Sequence, residues 1–387
     1  MEFKRIFLVV LDALGVGEAT DAISYNDEGV NTLGNLLKEK NLFLPNLKKL
    51  GLLSTLSMNN EETEAYYTIA RPRNKGKDSL SGHYEMMAIE NNISYKNFGE
   101  NGFPRDLLET IVRETRKGII GNLVGNHESV LEKLGDRHLE TGSLIIYTTG
   151  DSNLEVAAHE SIIPINELYE YADKIRQITK REEWKVGRVI ARPFTGESGK
   201  YIFTNNTKYF TLTPPNKSVL DILKENNYQV ISIGKINDIY NGHGITKIMK
   251  STCNSEGINK LTEVMEKKFD GLCFVNLSDF DTLYGHKRDI DGFAKELEAL
   301  DVEIPILLNK LNIDDLLIIT ADHGCDPTMP GTSHTRENVP VIVYSRLFKE
   351  PKQIEILESL ADIGATIIDN FKLEKPWMGT SFLDKLK

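Results

Sequence analysis

The sequence predicts a protein of the α/β class in which an α+β module interrupts the core. Residues 6–11 and 316–319 are short, continuous aliphatic runs, which is typical of strands buried on both faces. Helical patterns alternate with further apolar runs before residue 91 and after residue 214, whereas aromatic residues, Asn and Gly become frequent between them. We therefore predict a core built from residues 1–90 and 215–387 and an inserted domain at 91–214.

Each element follows from its own apolar pattern and the turn residues that bound it. In chain order, the predicted elements of the core are strand 6–11, helix 32–40, a helix and loop at 45–54, helix 218–226, strand 228–234, helix 257–268, strand 272–277, helix 291–310, strand 316–321, strand 340–345 and helix 353–370. The inserted domain is predicted to contain helices 104–116 and 164–180 and strands 144–149 and 186–191.

The composition excludes several classes of protein. The chain has 46 basic and 57 acidic residues and a net charge of -11, which argues against a nucleic-acid surface but is compatible with phosphorylated small molecules. The apolar run near the start has six residues before Asp12, too few for a signal peptide, and no run reaches transmembrane length. Cys253, Cys273 and Cys325 form no CxxC pair. We therefore expect reduced thiols, a cytoplasmic protein and no membrane partner.

Carboxylate and imidazole side chains follow three of the predicted core strands. These residues, together with one histidine in a loop rich in Pro and Gly, are Asp12, Asp281, His286, Asp322, His323 and His334. Asp322 and His323 alone read equally well as a helix cap and an incidental histidine in a solvated loop, and Asp12 alone could also be a helix cap. Together they supply three ligands for each of two adjacent divalent ions, and this donor chemistry suits Mn, Fe or Zn better than Ca or Mg.

A polar loop at residues 77–83 leads into an apolar helical pattern. Its two serines, Ser79 and Ser81, stand where a helix begins, and a helix N-terminus favours a phosphate. Either hydroxyl is a candidate nucleophile, although an Asp-Ser pair before a helix is more often a cap. The spacing alone does not choose between them.

Three further polar residues lie close to the ends of predicted strands. Asp151 and Arg192 fall in the inserted domain, and Lys235 follows strand 228–234 of the core. Taken singly, Asp151 and Arg192 each read more simply as a turn or surface residue.

Longer stretches of the sequence resemble bacterial phosphopentomutases, which are members of the alkaline phosphatase-like metalloenzyme superfamily. The stretches include RIFLVVLDALGVGEATDA, GKDSLSGHYE, ETGSLIIYTTGDS, DFDTLYGH, TADHGCDP and HTRENVP, spread over nearly the whole chain. The resemblance implies a doubly wound core with two Mn²⁺ ions and an inserted α+β cap domain. It implies interconversion of ribose 1-phosphate, or its 2-deoxy form, and the corresponding 5-phosphate.

The resemblance also implies roles for individual residues. One ion would be held by Asp281, His286 and His334. The other would be held by Asp12, Asp322 and His323. The phosphorylated residue would be Ser79, and the substrate would be approached by Asp151, Arg192 and Lys235.

The sequence departs from the family's pattern at several of these places. Ser79 stands where the family has Thr, Ser333 replaces an acidic residue, and Cys325 replaces Asn. After Gly199 the family usually has two arginines, whereas residues 203–207 here read FTNNT. The metal ligands therefore follow the family more closely than the substrate-binding residues do.

Three functions fit this sequence. The first is a phosphopentomutase that acts through a phosphoserine enzyme on small sugar phosphates. The second is a metal-dependent phosphatase, or a mutase, that acts on another sugar phosphate. The third is a phosphosugar-binding protein without activity, which the complete ligand set and the available hydroxyl disfavour.

Overall fold

The chain forms two compact units in a computed structural model that describes residues 2–91, 95–99, 101–125, 127–149 and 152–386. Unit 1 comprises Met1–Ile93 and Thr213–Lys387, and unit 2 comprises Ser94–Leu212. Among the described residues, no helix is both long and apolar enough to cross a membrane.

The strands and helices of both units are numbered in chain order. The strands are β1 (Arg5–Leu11), β2 (Tyr66–Ala70), β3 (Ile119–Val124), β4 (Leu144–Thr148), β5 (Asn153–His159), β6 (Arg188–Thr195), β7 (Ile202–Phe203), β8 (Lys208–Thr211), β9 (Gln229–Ile233), β10 (Lys247–Met249), β11 (Gly271–Leu277), β12 (Asp315–Thr320) and β13 (Val339–Tyr344). The helices are α1 (Thr32–Glu39), α2 (Pro45–Lys49), α3 (Ser79–Met86), α4 (Arg105–Thr115), α5 (His127–Thr141), α6 (Ile165–Ile178), α7 (Val219–Glu225), α8 (Ile236–Ile239), α9 (Asn254–Met265), α10 (Ile290–Lys310) and α11 (Ala361–Asn370). Single turns of 3₁₀ helix occur at Ala22–Tyr25, Leu53–Leu56, Glu182–Trp184 and Leu383–Lys385, and a π-helical turn at Phe280–Gly285.

The sheet of unit 1 has the strand order β10-β9-β11-β1-β12-β13-β2 in the described residues. Strand β1 lies in the middle and pairs in parallel with β11 on one side and β12 on the other. Every residue of these three strands is buried, as their aliphatic sequences predict. Ligands in open α/β sheets bind outside the carboxyl ends of the parallel strands. The predicted α/β class of the core is confirmed.

The register of the central strands brings the predicted ligands to one edge of the sheet. Val10 pairs with Thr320, so that Asp12 and Asp322 both lie two residues beyond a paired position. Leu11 pairs with Leu277, the last residue of β11. The segments that follow the three strands therefore leave the sheet side by side.

Unit 2 has its own sheet, with the order β3-β4-β5-β6-β7, and β8 also pairs with β6. The pairing mixes parallel and antiparallel neighbours, which agrees with the predicted α+β character. Its core includes Leu107 of α4 and Ile175 of α6 packed with Ile146 and Val189 of the sheet.

The last predicted helix of the core is wrong in its first half. Helix α11 begins at Ala361, not at residue 353. Upstream of it, Gln353 and Leu357 form isolated bridges with Tyr67 and Ala70 of β2. The chain remains extended there because the backbone of β2, an edge strand that we did not predict, offers hydrogen-bond partners from far away in the sequence.

Candidate metal centre

The first group of predicted ligands forms where β1 and β12 end. Asp12 is followed by Ala13, whose φ of 72° is uncommon for a residue other than glycine. This turn directs the Ala13 N–H to Asp322 Oδ1 at 3.2 Å, while Asn276 Nδ2 donates to Asp12 Oδ2 at 2.9 Å. One oxygen of each carboxylate is thereby fixed, and the other oxygen of each is left for a different partner.

We call Asp12, Asp322 and His323 the Asp12 group. Their remaining ligand atoms lie close together. One ligand atom from each lies within 4.8 Å of the others. His323 Nε2 is 3.5 Å from Asp12 Oδ1 and 3.3 Å from Asp322 Oδ2. Nδ1 of the same ring is 3.0 Å from the carbonyl of Gly324, which orients Nε2 towards the two carboxylates.

The second group combines the π-helical turn after β11 with the loop that follows β12. Asp281 lies within the turn and His286 directly after it, and π-helical turns are frequent at functional sites. His334 returns from the loop, with its Nε2 3.3 Å from Asp281 Oδ1 and 3.1 Å from His286 Nε2. His286 Nε2 is 3.4 Å from Asp281 Oδ2, and its Nδ1 is 2.6 Å from the carbonyl of Thr332.

Cys325 also belongs to this second cluster. One ligand atom from each of Asp281, His286, Cys325 and His334 lies within 4.8 Å of the others, and we call these residues the Asp281 group. The three predicted ligands of this group are therefore joined by a thiol that the sequence analysis treated only as a departure from the family.

The two groups adjoin each other through their histidines. The rings of His323 and His334 stack with centroids 3.9 Å apart and an angle of 29° between their planes. Two neighbouring clusters of carboxylate and imidazole are the arrangement that a pair of divalent ions requires.

The ionisation of these side chains is strongly perturbed. Burial, followed by the charges of Asp322 and Asp281, raises the pKa of Asp12 to about 7. Burial opposes the charged form of His323, but Asp322 and Asp12 raise its pKa to about 9. Burial, followed by His323, lowers the pKa of His334 to about 4. The carboxylates repel one another when no cation lies between them, and a bound cation would relieve this repulsion.

The buried oxygens fit a divalent metal. Within the described part of the chain, Asp12 Oδ1, Asp281 Oδ1 and Asp322 Oδ2 are buried and accept no hydrogen bond, although His83 Nδ1, which is closer to the Ser79 carbonyl, lies 3.1 Å from Asp322 Oδ2. An unpaired buried carboxylate oxygen is costly, and a metal ion removes that cost. Each of these oxygens faces a histidine nitrogen at 3.3–3.5 Å, a separation that suits two ligands of one ion.

Ser79 is the first residue of α3 and lies beside the Asp12 group. Its Oγ is 3.1 Å from His323 Nε2. Asp78 caps the helix by accepting from the Ser81 N–H, and its other oxygen accepts from Ser81 Oγ at 2.9 Å. The Ser81 hydroxyl is therefore engaged in the cap, whereas the Ser79 hydroxyl faces the candidate ligands.

Two buried residues that hold this arrangement, His83 and Asn276, were not predicted from the sequence. His83 follows Ser79 by one helical turn, and its Nδ1 is 2.8 Å from the Ser79 carbonyl and 3.1 Å from Asp322 Oδ2. Asn276, which donates to Asp12, is the one polar residue in the otherwise apolar sequence of β11. A lone polar residue near the end of a buried strand and a histidine four residues after a candidate nucleophile were the available signals.

Helix α3 also approaches β12 closely. A Cβ on Gly82 would lie 2.0 Å from the carbonyl oxygen of Asp322, so that only glycine fits there. This contact fixes the distance between the start of α3, where Ser79 lies, and the Asp12 group.

The predicted substrate residues are distributed over both units. Lys235 follows β9 in unit 1 as the N-cap of α8, and its charge lowers the pKa of Asp12 against the opposing effect of burial. Arg192 lies on β6 in unit 2, where its guanidinium pairs with the buried carboxylate of Glu155. Asp151 lies outside the described residues. The roles of these three residues in binding substrate stay predictions.

Known families and structures resemble this chain. The sequence model of the Metalloenzyme superfamily matches residues 4–375. The structure of the PH0037 protein from Pyrococcus horikoshii has a TM-score of 0.50 at 13% identity and covers 98% of this chain and 100% of that one. A phosphoglycerate mutase from Leishmania mexicana has a TM-score of 0.51 at 12% identity, with 98% and 97% covered. At such identities the two structures show a shared fold. The family match spans almost the whole chain, which therefore belongs to the Metalloenzyme superfamily and has an alkaline phosphatase-like core.

Proposed function

We propose that this chain is a phosphopentomutase, which interconverts ribose 1-phosphate, or 2-deoxyribose 1-phosphate, and the corresponding 5-phosphate through a phosphoserine enzyme. The observation that carries the proposal is the position of the Ser79 hydroxyl, 3.1 Å from His323 Nε2 and beside two clusters of metal-binding side chains. A hydroxyl in such a place is suited to accept and to donate a phosphoryl group.

The N-terminus of α3 supplies the first part of the proposed chemistry. Ser79 begins an eight-residue helix, whose first N–H groups and dipole favour a phosphate on or near that side chain. His83 and Gly82 hold the helix against Asp322, so that the phosphate would be carried by a rigid element.

The two candidate metal sites supply the second part. Asp12, Asp322 and His323 would hold one divalent ion, and the Asp281 group would hold the other. Bound there, the ions would neutralise the phosphoryl oxygens and favour the ionised form of the serine hydroxyl. We propose Mn²⁺ for the Asp12 group, whose two carboxylates and one imidazole suit it.

The proposed reaction moves one phosphoryl group at a time. The bond between phosphorus and Ser79 Oγ breaks, a bond forms between phosphorus and a free sugar hydroxyl, and the hydroxyl proton is given up to the site. The sugar bisphosphate then presents its other phosphate. The bond between that phosphorus and its sugar oxygen breaks, a bond to Ser79 Oγ forms as the serine hydroxyl gives up its proton, and the released sugar oxygen takes up a proton. No phosphate is consumed over the full cycle.

The pentose substrate is proposed from the motifs that resemble phosphopentomutases rather than from a described pocket. Lys235, close enough to Asp12 to influence its pKa, is a candidate contact for a substrate phosphate within unit 1. Arg192 and Asp151 are proposed as further substrate contacts on the same resemblance.

A phosphatase, or a mutase for another sugar phosphate, is the second candidate. The guanidinium of Arg192 is already paired with Glu155, and no arginine occurs in residues 203–207. Fewer positive charges for the distal phosphate would favour a different ester or the release of phosphate to water.

Phosphorus NMR distinguishes the two candidates in one experiment. Purified chain loaded with Mn²⁺ is given ribose 5-phosphate and a catalytic amount of ribose 1,5-bisphosphate. We expect ribose 1-phosphate to appear without matching inorganic phosphate, in wild type and in Ser81→Ala, and not in Ser79→Ala. Release of inorganic phosphate alone would assign the chain to the phosphatase alternative, and no reaction would overturn both.

A further inference from the structure

We propose that Cys325 Sγ is a fourth protein ligand in the Asp281 group, and that this thiolate makes the site prefer Zn²⁺, Co²⁺ or Fe²⁺ over Mn²⁺. The inference rests on the proposed function only in its assumption that a divalent ion binds to this group. It makes the two metal sites of one chain chemically different, with sulfur in only one of them.

Cys325 is positioned so that its sulfur lies beside the other ligand atoms of the Asp281 group. It lies two residues after His323 on the segment that leaves β12, and its N–H donates to the Ala13 carbonyl at 3.1 Å. Its side chain is buried. Its sulfur falls within 4.8 Å of one ligand atom each from Asp281, His286 and His334, so that all four can surround one ion.

The unsatisfied carboxylate of Asp281 points independently to a ligand at this place. Asp281 is 3% exposed, and its Oδ1 accepts no hydrogen bond in the described part of the chain. This oxygen, 3.3 Å from His334 Nε2, belongs to the same cluster as the sulfur. A cation among the four side chains removes the cost of the unpaired oxygen.

The guanidinium of Arg288 donates a hydrogen bond to the sulfur of Cys325. Its Nη1 lies 3.2 Å from Cys325 Sγ, while its other donors hold the carbonyls of Gly331 and Ser333. A guanidinium hydrogen bond to the sulfur is the kind of outer contact that orients and stabilises a metal-bound thiolate. A buried cysteine that serves only as a small apolar side chain has no need of this partner.

The chemistry of the donors decides which ion the site prefers. Mn²⁺ is the weakest binder among the first-row divalent ions and prefers oxygen, whereas thiolate together with imidazole suits Zn²⁺, Co²⁺ and Fe²⁺. Four protein ligands still permit a fifth bond, because zinc sites expand from four to five ligands during catalysis. The Asp12 group contains no sulfur and keeps the oxygen-rich chemistry that suits Mn²⁺.

Replacement of the metal by Co²⁺ gives a test that does not depend on activity. A thiolate bound to Co²⁺ produces a charge-transfer absorption band in the near ultraviolet, and carboxylate or imidazole ligands do not. We expect this band in wild type and in Cys253→Ser, a matched control whose partly exposed sulfur lies 3.2 Å from Ser255 Oγ, and not in Cys325→Ser. Loss of an outer contact lowers metal affinity about 10–100-fold, so Cys325→Ser should lower the affinity for Zn²⁺ at least about tenfold.

X-ray absorption of wild-type chain loaded with Zn²⁺ covers the case in which Cys325→Ser does not fold. We expect a shell of sulfur at about 2.3 Å from zinc. Two bound ions per chain without that shell, or a chain that binds no ion at all, would overturn the inference. If sulfur is absent while ribose 5-phosphate is still converted, the inference alone fails. A sulfur shell without conversion would leave the inference standing and overturn the proposed function.

Discussion

Buried charge is balanced differently in the two units. In unit 2 the buried carboxylate of Glu155 is paired with the guanidinium of Arg192 and accepts a hydrogen bond from Tyr147. In unit 1 the carboxylates of Asp12 and Asp322 lie side by side, and each has one oxygen without a hydrogen-bond donor in the described residues. The first arrangement is complete in the protein alone, whereas the second requires a cation from solution. Unsatisfied buried oxygens, rather than acidic residues as such, therefore mark a metal site.

Removal of two ligands from the Asp12 group should have the largest effect. The combined change of Asp12→Asn and Asp322→Asn keeps the shape of the side chains but takes away two negative charges. We expect loss of one bound ion per chain and a fall in turnover of several thousandfold, which corresponds to about 5 kcal/mol. Elemental analysis and the phosphorus NMR assay measure the two quantities.

Asp326→Asn is the matched control for that double variant. Asp326 is also a buried aspartate of the same loop region, but its carboxylate already accepts hydrogen bonds from Asn31, Asn35 and Thr328. We expect its metal content to stay at the wild-type value. If the double variant still bound two ions per chain, the ligands of the Asp12 group would have been assigned wrongly.

Loss of the Arg192 guanidinium in unit 2 should have the next largest effect. It should lower the stability of the chain and leave its metal content unchanged. Arg192→Ala leaves Glu155 buried without its guanidinium, and loss of one partner of such a pair costs about 3–5 kcal/mol. Chemical denaturation should show this loss, and addition of Glu155→Gln should recover a large part of it because the unpaired charge is then gone. Equal stability of Arg192→Ala and wild type would contradict the described ion pair.

The same variants bear on the predicted role of Arg192 in substrate binding. Arg192→Ala should raise the Michaelis constant for ribose 5-phosphate if the guanidinium also contacts a substrate phosphate. Comparison with the double variant Arg192→Ala/Glu155→Gln, at temperatures where both are folded, separates lost binding from lost stability. An unchanged Michaelis constant in both would remove Arg192 from the substrate contacts.

Binding of metal should stabilise the chain by a smaller amount. A ligand at 100 times its dissociation constant adds about 2.7 kcal/mol to the free energy of unfolding of the unit that binds it. We expect a higher melting temperature when Mn²⁺ is added to chelator-treated wild type and to Arg192→Ala, and a reduced shift in the variant that lacks both Asp12 and Asp322. An equal shift in all three proteins would mean that the ions bind elsewhere.

The smallest effect is expected from Ser79→Thr. Threonine keeps the hydroxyl and is the residue that the resembling family has at this position, so we expect turnover within about tenfold of wild type, less than ~1.4 kcal/mol. Loss of all transfer in Ser79→Thr, with metal content unchanged, would mean that the added methyl group blocks the position proposed for the phosphate.

Much of the core fold could be predicted because its central strands have a recognisable apolar sequence pattern. Strands β1 and β12 contain unbroken apolar runs too short for a core helix, which is typical of strands buried on both faces. Strand β5 was missed because Asn153, Glu155 and His159 interrupt its apolar pattern. The buried carboxylate of Glu155 is paired with Arg192, 37 residues away, and no local pattern reveals that partner.

Helix boundaries were displaced for a similar reason. Helix α9 begins at Asn254, three residues before the predicted start, because the Asn254 N–H is accepted by Asp279 from the loop after β11. A cap supplied by a distant segment leaves no signal next to the helix.

The candidate ligands could be predicted because strands place the residues that follow them at a common edge. His83 and Asn276 could not be found in this way, because their importance lies in contacts with Asp322 and Asp12 that form only in the fold. The sulfur of Cys325 likewise approaches Asp281 only when the loop is folded.

The most direct test of the proposed phosphoserine enzyme is the position of the phosphate after incubation with a sugar bisphosphate. Wild-type chain loaded with Mn²⁺ is mixed with ribose 1,5-bisphosphate, quenched in acid and digested, and the peptide that contains Ser79 and Ser81 is sequenced by tandem mass spectrometry. We predict one phosphate on Ser79, whose hydroxyl faces His323, and none on Ser81, whose hydroxyl donates to Asp78. Phosphate on Ser81, or an unmodified peptide from a preparation that converts ribose 5-phosphate, would contradict the phosphoserine mechanism proposed for Ser79.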